Sequence, residues 1–251
     1  MRLYPSKLLN QFQNLTHTFT SRNGGNSSKP FGSLNLAFHV SDNISHVNKN
    51  HELLSKELGY DKSSLVHMKQ IHSDKVHVIT SDDNFENPPT CDALITDKKN
   101  TPLMVMVADC SPILFYDDVQ KVIAVAHAGR QGAFKNIVKN VVESFKNNYN
   151  SKTENLHVSI GASIGVCCYE VGDEINTEAN ELGLEYAMEQ KNQSYYLNVS
   201  KILKEQLLTC GVKKENIEIS DECTCCKNDK YFSYRAEGTT GRFAGVIMLK
   251  S

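Results

Sequence analysis

No segment of the 251-residue chain is continuously apolar over the ~20 residues that a membrane-spanning helix needs. The amino-terminal MRLYPSKLLNQFQNL lacks the apolar centre of a secretion signal, so a cytoplasmic protein is expected. No excess of one charge is present either: 27 Lys and Arg stand against 29 Asp and Glu, a formal net charge of −2. That balance leaves no basic footprint for nucleic acid or an anionic membrane surface, and neither is an expected partner. Eight cysteines are too few for a small disulfide scaffold. No repeat of solenoid period, low-complexity tract or long linker divides the chain, so a single domain over residues 1–251 is expected. The glycine runs RNGG and GTTG lack the spacing of a Walker loop or a dinucleotide fingerprint.

What is there is a regular alternation of local patterns. LTHTFTS and KVHVIT alternate as half-buried strands do, whereas DALIT, PLMVMVA, PILFYD and KVIAVAHA are nearly continuous apolar runs that suit strands covered on both faces. LHVSIGAS, IEIS, KYFSY and FAGVIML also read as strands. Residues 44–58 place Val47, His51, Leu54 and Leu58 at helical spacing, with Asp42 or Ser45 as cap and Gly59 as stop. GAFKNIVKNVVESFKNNY puts Phe134, Ile137, Val138, Val141, Val142 and Phe145 on one stripe. DEINTEANELGLEYAME predicts a third helix, and NVSKILKEQLLTCG a fourth between Asn198 and Gly211. A glycine- and serine-rich loop occupies 21–33. Strands and helices interleave without a strict βαβ rhythm, so the expected class is α/β (α+β) with a mixed sheet.

Three candidate metal ligands lie in strongly structured surroundings: His72 in KQIHSDKV, Cys110 in MVADCSP and His127 in AVAHAG. Three nitrogen and sulfur donors with one open position is the catalytic zinc pattern. Spacing leaves other readings open. A strand-end histidine can be a hydrogen-bonded core residue, and Cys110 with His127 as base can form a nucleophilic thiolate–imidazolium pair. Asp92 in CDALIT and Asp109 beside Cys110 are the nearest carboxylates for proton transfer. A second cysteine group, Cys167, Cys168, Cys223, Cys225 and Cys226, could supply a four-thiolate site, although C-x-C-C differs from the usual C-x2-C knuckle. Packed structural thiols are the plainer reading. Arg22, Arg130, Arg235 and Arg242 are candidates for anion recognition, and the free N–H groups at the helix start after Gly129 favour an anion there.

Taken together, QIHSDKV, CDALITD, VADCSPILFYD, VIAVAHAGRQG, SIGVCCYEVGDE and CTCCKNDKYFSYRAEGTTGRFAGVI, preceded by TSRNGG and SLNLAFHVSDN, resemble the bacterial YfiH family, also called laccase-domain or polyphenol oxidase proteins. The similarity runs from about residue 17 to the end. It implies a layered sandwich of mixed β-sheets flanked by helices, and zinc held by His72, Cys110 and His127. It also implies phosphorolysis of adenosine, inosine and methylthioadenosine, and hydrolytic deamination of adenosine. Purine nucleosides and phosphate are then the partners, with Cys110, His127 and Asp92 as catalytic residues and Arg22, Asn35, Gln70, Arg130 and Arg235 binding substrate or phosphate. Copper is less expected, because a laccase needs several copper ions and many histidines, and only His72 and His127 share a candidate site here. Two other functions fit the same residues: a cysteine hydrolase acting on amide bonds such as those of peptidoglycan precursors, and a non-catalytic metal or redox protein. One departure stands out. The family motif resembles HAGWRG, whereas this chain, which has no tryptophan, carries Arg130 and Gln131 in those places.

Overall fold

The apolar runs between residues 93 and 128 become the middle of a mixed sheet that is indeed covered on both faces. The computed structural model describes residues 1–251. In chain order the elements are β1 (Leu3–Tyr4), β2 (Leu15–Thr20), α1 (Ile44–Leu58), β3 (Val76–Val78), β4 (Ala93–Thr96), β5 (Leu103–Val107), β6 (Ser111–Asp117), β7 (Val122–Ala128), α2 (Arg130–Phe134), α3 (Ile137–Tyr149) and β8 (Leu156–Ile160). There follow β9 (Glu170–Val171), α4 (Asp173–Glu181), β10 (Met188–Lys191), β11 (Ser194–Leu197), α5 (Val199–Thr209), β12 (Ile217–Ile219), α6 (Tyr234–Glu237) and β13 (Phe243–Leu249).

The large sheet has the order β12-β8-β6-β7-β4-β3, with parallel pairs at its two edges and antiparallel pairs inside. A second sheet, β1-β2-β13-β5, is antiparallel throughout. Strand alternation sorts the apolar residues into three cores. On one face of the large sheet, Ile95, Phe115, Ala124 and Ala126 pack against Val138, Val141 and Phe145 of α3 and Ile202 of α5. On its other face, Leu94, Leu114, Ile123 and Val125 meet Phe19, Val105, Phe243 and Ile247 of the second sheet. The far face of that sheet, with Met104, Met106, Ala244 and Val246, is closed by Leu54 of α1 and by Leu34, Leu36 and Phe85. The result is a helix–sheet–sheet–helix sandwich, the layered mixed-sheet class expected. No helix is long and apolar enough to cross a membrane.

Several local expectations need correction. The helix expected over 132–149 is two helices, α2 and α3, because Asn136 adopts φ 60° and caps α3 by accepting from the Lys139 amide. The helix expected over 173–189 stops at Glu181; Gly183 turns the chain at φ +70°, and Met188–Lys191 then pairs with Ser194–Leu197 as a hairpin. The turn residues of that hairpin, Asn192 and Gln193, both have positive φ, as tight hairpins require. KYFSY is not a strand. Tyr231 and Phe232 are core residues, and Ser233 caps α6 by accepting from the Ala236 amide. The cap of α1 is Asn43, between the two residues expected. The loop over 21–33 is pinned by buried Asn50, whose amide donates to Ser27 Oγ and to the Ser33 and Asn35 carbonyls.

His51, fully buried on α1, donates from Nε2 to the Leu36 carbonyl oxygen at 2.8 Å, and its Nδ1 has no partner. Burial lowers its pKa from 6.5 to about 3, against the raising effect of that hydrogen bond. The unfolded chain therefore takes up a proton near pH 6.5 that the folded chain refuses until about 3, so stability present above 6.5 is lost as pH falls through this window. The urea midpoint of the protein is expected to fall over that range, and His51→Gln to flatten the fall.

Candidate active site

β7 directs Val122, Ala124, Ala126 and Ala128 toward the helices and Ile123 and Val125 toward the second sheet, so His127 projects on the inter-sheet side. It does so at the rim, where β5 has ended at Val107 and the chain turns through Asp109, at φ +87°, into Cys110 and β6. The loop before β3 brings His72 to the same place, also in a left-handed conformation, at φ +57°. The donor atoms of His72, Cys110 and His127 all lie within 4.8 Å of one another. The two imidazoles meet edge to face, with centroids 4.8 Å apart and planes at 78°.

Asp92 orders this group. Its buried carboxylate accepts from the backbone N–H groups of Ile71, His72 and Ser73, from Ser73 Oγ and from His127 Nδ1, at distances of 2.7–3.2 Å. Three successive amides on one carboxylate hold His72 in its strained backbone well. The bond to Nδ1 leaves His127 Nε2 directed at Cys110 and His72. Burial acts to raise the Asp92 pKa, but the hydrogen bonds from His127 and Ser73 hold it at about 2. Asp92 lies outside the lining of the cleft, and its carboxylate is engaged by the 71–73 turn and the His127 ring.

Burial also opposes ionisation of Cys110 and His127, yet the pair ionises together. Attraction to the His127 and His72 rings brings the Cys110 thiol down to about 6, and the Cys110 sulfur and Asp92 raise His127 to about 9. One thiolate and two imidazoles form a donor set suited to a borderline divalent ion. The surrounding backbone leaves room for one: a Cβ added at Gly129 would lie 2.7 Å from Cys110 Sγ and 3.6 Å from His72 Cδ2. The carboxylate behind His127 is the usual support of a metal-bound histidine. The residues therefore fit a three-donor metal site with a fourth position open.

These three residues line a cleft of about 360 Å³, within the range of small-ligand pockets. Its walls carry three arginines, Arg130, Arg235 and Arg242, together with Tyr169, Tyr234, His39 and Asp109. Arg130, at the first position of α2, pairs with Glu178 at 2.7 Å through Nη1. Arg235 donates to the Cys168 and Glu170 carbonyls, and its backbone N–H, with Thr224 Oγ1, donates to Asp109. Arg242 uses only Nη1 within the chain. Gln70 borders the cleft, but its amide pairs with both backbone groups of Met106.

Two expected binding residues lie elsewhere. Arg22 is 13% exposed, spans to Glu237 and the Gly32 carbonyl, and stacks 4.6 Å from the Phe232 ring centroid, fastening the 21–33 loop. Asn35 is fully buried and its amide is consumed by Ala37, Asp42 and the Arg242 amide. Its effect on the cleft is through Arg242. His39 and Tyr169 carry no local signal of a site role in the sequence; their only signal is membership of the motifs SLNLAFHVSDN and SIGVCCYEVGDE.

A mixed-sheet sandwich with a His–Cys–His donor group in an arginine-walled cleft is the class of protein this structure defines. Residues 16–250 match the family described as multi-copper polyphenol oxidoreductase laccase, and the chain belongs to that family. The purine nucleoside phosphorylase YlmD of Bacillus subtilis (strain 168) is 32% identical over 243 residues, which cover 92% of this chain and 87% of that protein. The purine nucleoside phosphorylase YfiH of Escherichia coli (strain K12) is 33% identical over 232 residues, 92% of each chain. Among crystal structures, YfiH of Bacillus licheniformis superposes with a TM-score of 0.93 at 32% identity, covering 99% of this chain and 96% of that one. YlmD of Geobacillus stearothermophilus gives 0.90 at 28% identity, covering 96% and 93%. The resemblance read from the motifs is therefore borne out at the level of family and fold.

In metal-free protein, Cys110 is expected to react with iodoacetamide down to a midpoint near pH 6, not near the ordinary thiol value of 9. Because His127 owes part of its charge to Asp92, Asp92→Asn should move the midpoint upward, as read by mass spectrometry of the alkylated peptide.

Proposed function

We propose that this chain is a cytoplasmic, zinc-dependent purine nucleoside phosphorylase that takes adenosine, inosine and methylthioadenosine and also deaminates adenosine hydrolytically. The observation that carries the reading is the juxtaposition of the His72–Cys110–His127 group with three arginines in one cleft. The names of the relatives support it. When bound to those donors, zinc supplies Lewis acidity at the floor of the cleft.

The chain's own groups account for the rest of the chemistry. In phosphorolysis a phosphate oxygen bonds to ribose C1′ as the C1′–N9 bond breaks, and its electron pair leaves on the purine, which takes a proton. Arg130 and Arg242 retain guanidinium N–H groups without partners in the chain, and these can fix phosphate for attack. Tyr169 and Tyr234 line the cleft and supply aromatic surface suited to a purine. Asp109, the carboxylate that borders the cleft, is suited to carry a proton to or from the substrate. Zinc is preferred to copper because only two histidines converge, too few for a multicopper centre.

Purified protein incubated with inosine or adenosine is expected to release hypoxanthine or adenine only with phosphate, to form some inosine from adenosine, and to lose these activities on chelation. Metal-loaded protein that releases no base, or releases it equally without phosphate, would sink the proposal. A second reading rests on the low thiol pKa of Cys110, which suits a cysteine hydrolase of amide bonds. Activity on amides that survives chelation but not alkylation would favour it.

The replacement of tryptophan and arginine by Arg130 and Gln131 bears on the phosphate site. Gln131 is exposed, whereas Arg130 borders the cleft. Loss of one charged hydrogen bond costs about 1.5–3 kcal/mol, so Arg130→Ala is expected to raise the KM for phosphate roughly ten- to hundredfold and to change the KM for inosine much less. An unchanged phosphate KM would assign the anion to Arg235 and Arg242.

A further inference from the structure

Four of the later cysteines converge, and two of them are consecutive. Along an extended strand, consecutive side chains point to opposite faces. Cys167 and Cys168 lie instead in a turn, closed by the amides of Cys168 and Tyr169 donating to the Gly165 carbonyl at 3.0 Å, and both sulfurs emerge on one side. Cys223 and Cys226 have the C-x2-C spacing that the run CTCC conceals; Cys225 stands outside the group. Here too a turn is present, with the Lys227 amide donating to the Cys223 carbonyl at 3.0 Å.

Cys226 Sγ lies 3.6 Å from Cys167 Sγ and 3.3 Å from Cys168 Sγ, and all four sulfurs are within 4.8 Å of one another. Sulfurs bound tetrahedrally to zinc at ~2.3 Å stand about 3.8 Å apart, which matches this spacing. The Gly165 amide donates to Cys223 Sγ at 3.2 Å, the kind of backbone support that thiolate ligands receive. A side chain at 165 would crowd the group, since a Cβ there would sit 3.2 Å from Cys167 Sγ.

We propose that Cys167, Cys168, Cys223 and Cys226 bind a second zinc ion in a closed four-thiolate site. With no open position, its role is structural. It ties the turn after β8 to the segment that leads into α6, and both segments build the cleft. Arg235 donates to the Cys168 and Glu170 carbonyls at 2.9 and 3.0 Å, Tyr169 follows Cys168 directly, and Thr224, between two of the ligands, donates to Asp109 at 2.6 Å. The site thus braces one wall of the cleft from behind, whatever reaction the cleft performs.

Metal analysis of the full chain, purified anaerobically under reducing conditions, tests this independently of activity. Two zinc ions per chain are expected. Cys226→Ser should lose one, and Cys110→Ser, which removes the only sulfur donor of the first site, should keep the second. Loading Cys110→Ser protein with cobalt(II) should produce thiolate-to-cobalt absorption from the second site alone, and Cys226→Ser added to it should abolish the band. The cobalt spectrum of Cys110→Ser protein decides the matter even where Cys226→Ser does not accumulate folded. A zinc content unchanged by Cys226→Ser, a cobalt-loaded Cys110→Ser protein without that band, or recovery of these four cysteines as disulfides from the reduced preparation overturns the proposal.

Discussion

The Asp92 carboxylate is the constraint on which the site depends. A charge with no exposure to solvent costs several kcal/mol unless its lone pairs are filled, and here five donors fill them. Those donors come from two parts of the chain that have no covalent reason to meet: the 71–73 turn and the end of β7. One buried anion therefore sets the backbone of His72, the ring orientation of His127 and, through that ring, the charge on Cys110. The main chain at Asp92 joins in as well, its carbonyl accepting the His127 amide at 2.7 Å.

The layers explain why such a group can form at a rim and not within the core. Two sheets packed face to face leave no polar space between them, and their interior is filled by Leu94, Leu114, Val125 and Phe243. Only where β5 stops does the alternation of β7 bring a side chain to the inter-sheet side without an apolar neighbour opposite. There the chain turns through Asp109, and the carboxylate of that residue is itself held by Thr224 and Arg235 from the distant carboxy-terminal segment. The cleft is the meeting point of loops from both sheets.

Elements whose cause is local were legible in the sequence. Helix α1 and helix α5 follow from helical spacing and a glycine stop, α5 also from its Asn198 cap, and the central strands from apolar runs. Sequence pattern and structure differ where one residue's backbone decides the outcome. Asn136 in a left-handed conformation splits an unbroken apolar stripe, and Gly183 ends a helix whose pattern could have continued. KYFSY alternates like a strand, but Tyr231 and Phe232 are anchors for a core shared with β13, and Tyr234 borders the cleft.

The sequence by itself determined the secondary pattern and, through its ordered motifs, the family, because these rest on residues near one another in the chain; His72, Cys110 and His127 are candidates there, and only the fold brings them together. Tertiary structure alone decided which arginines face the cleft, withdrawing Arg22 and Asn35 into the scaffold and leaving Arg130, Arg235 and Arg242 on its walls. It also decided that the Asp92 carboxylate is bound to His127 and the 71–73 turn outside the cleft, and that Cys223 and Cys226, not their neighbour Cys225, join Cys167 and Cys168. The physical reason is common to all of these. A side chain's role is fixed by which hydrogen-bond partners reach it first, and those partners lie tens to hundreds of residues away.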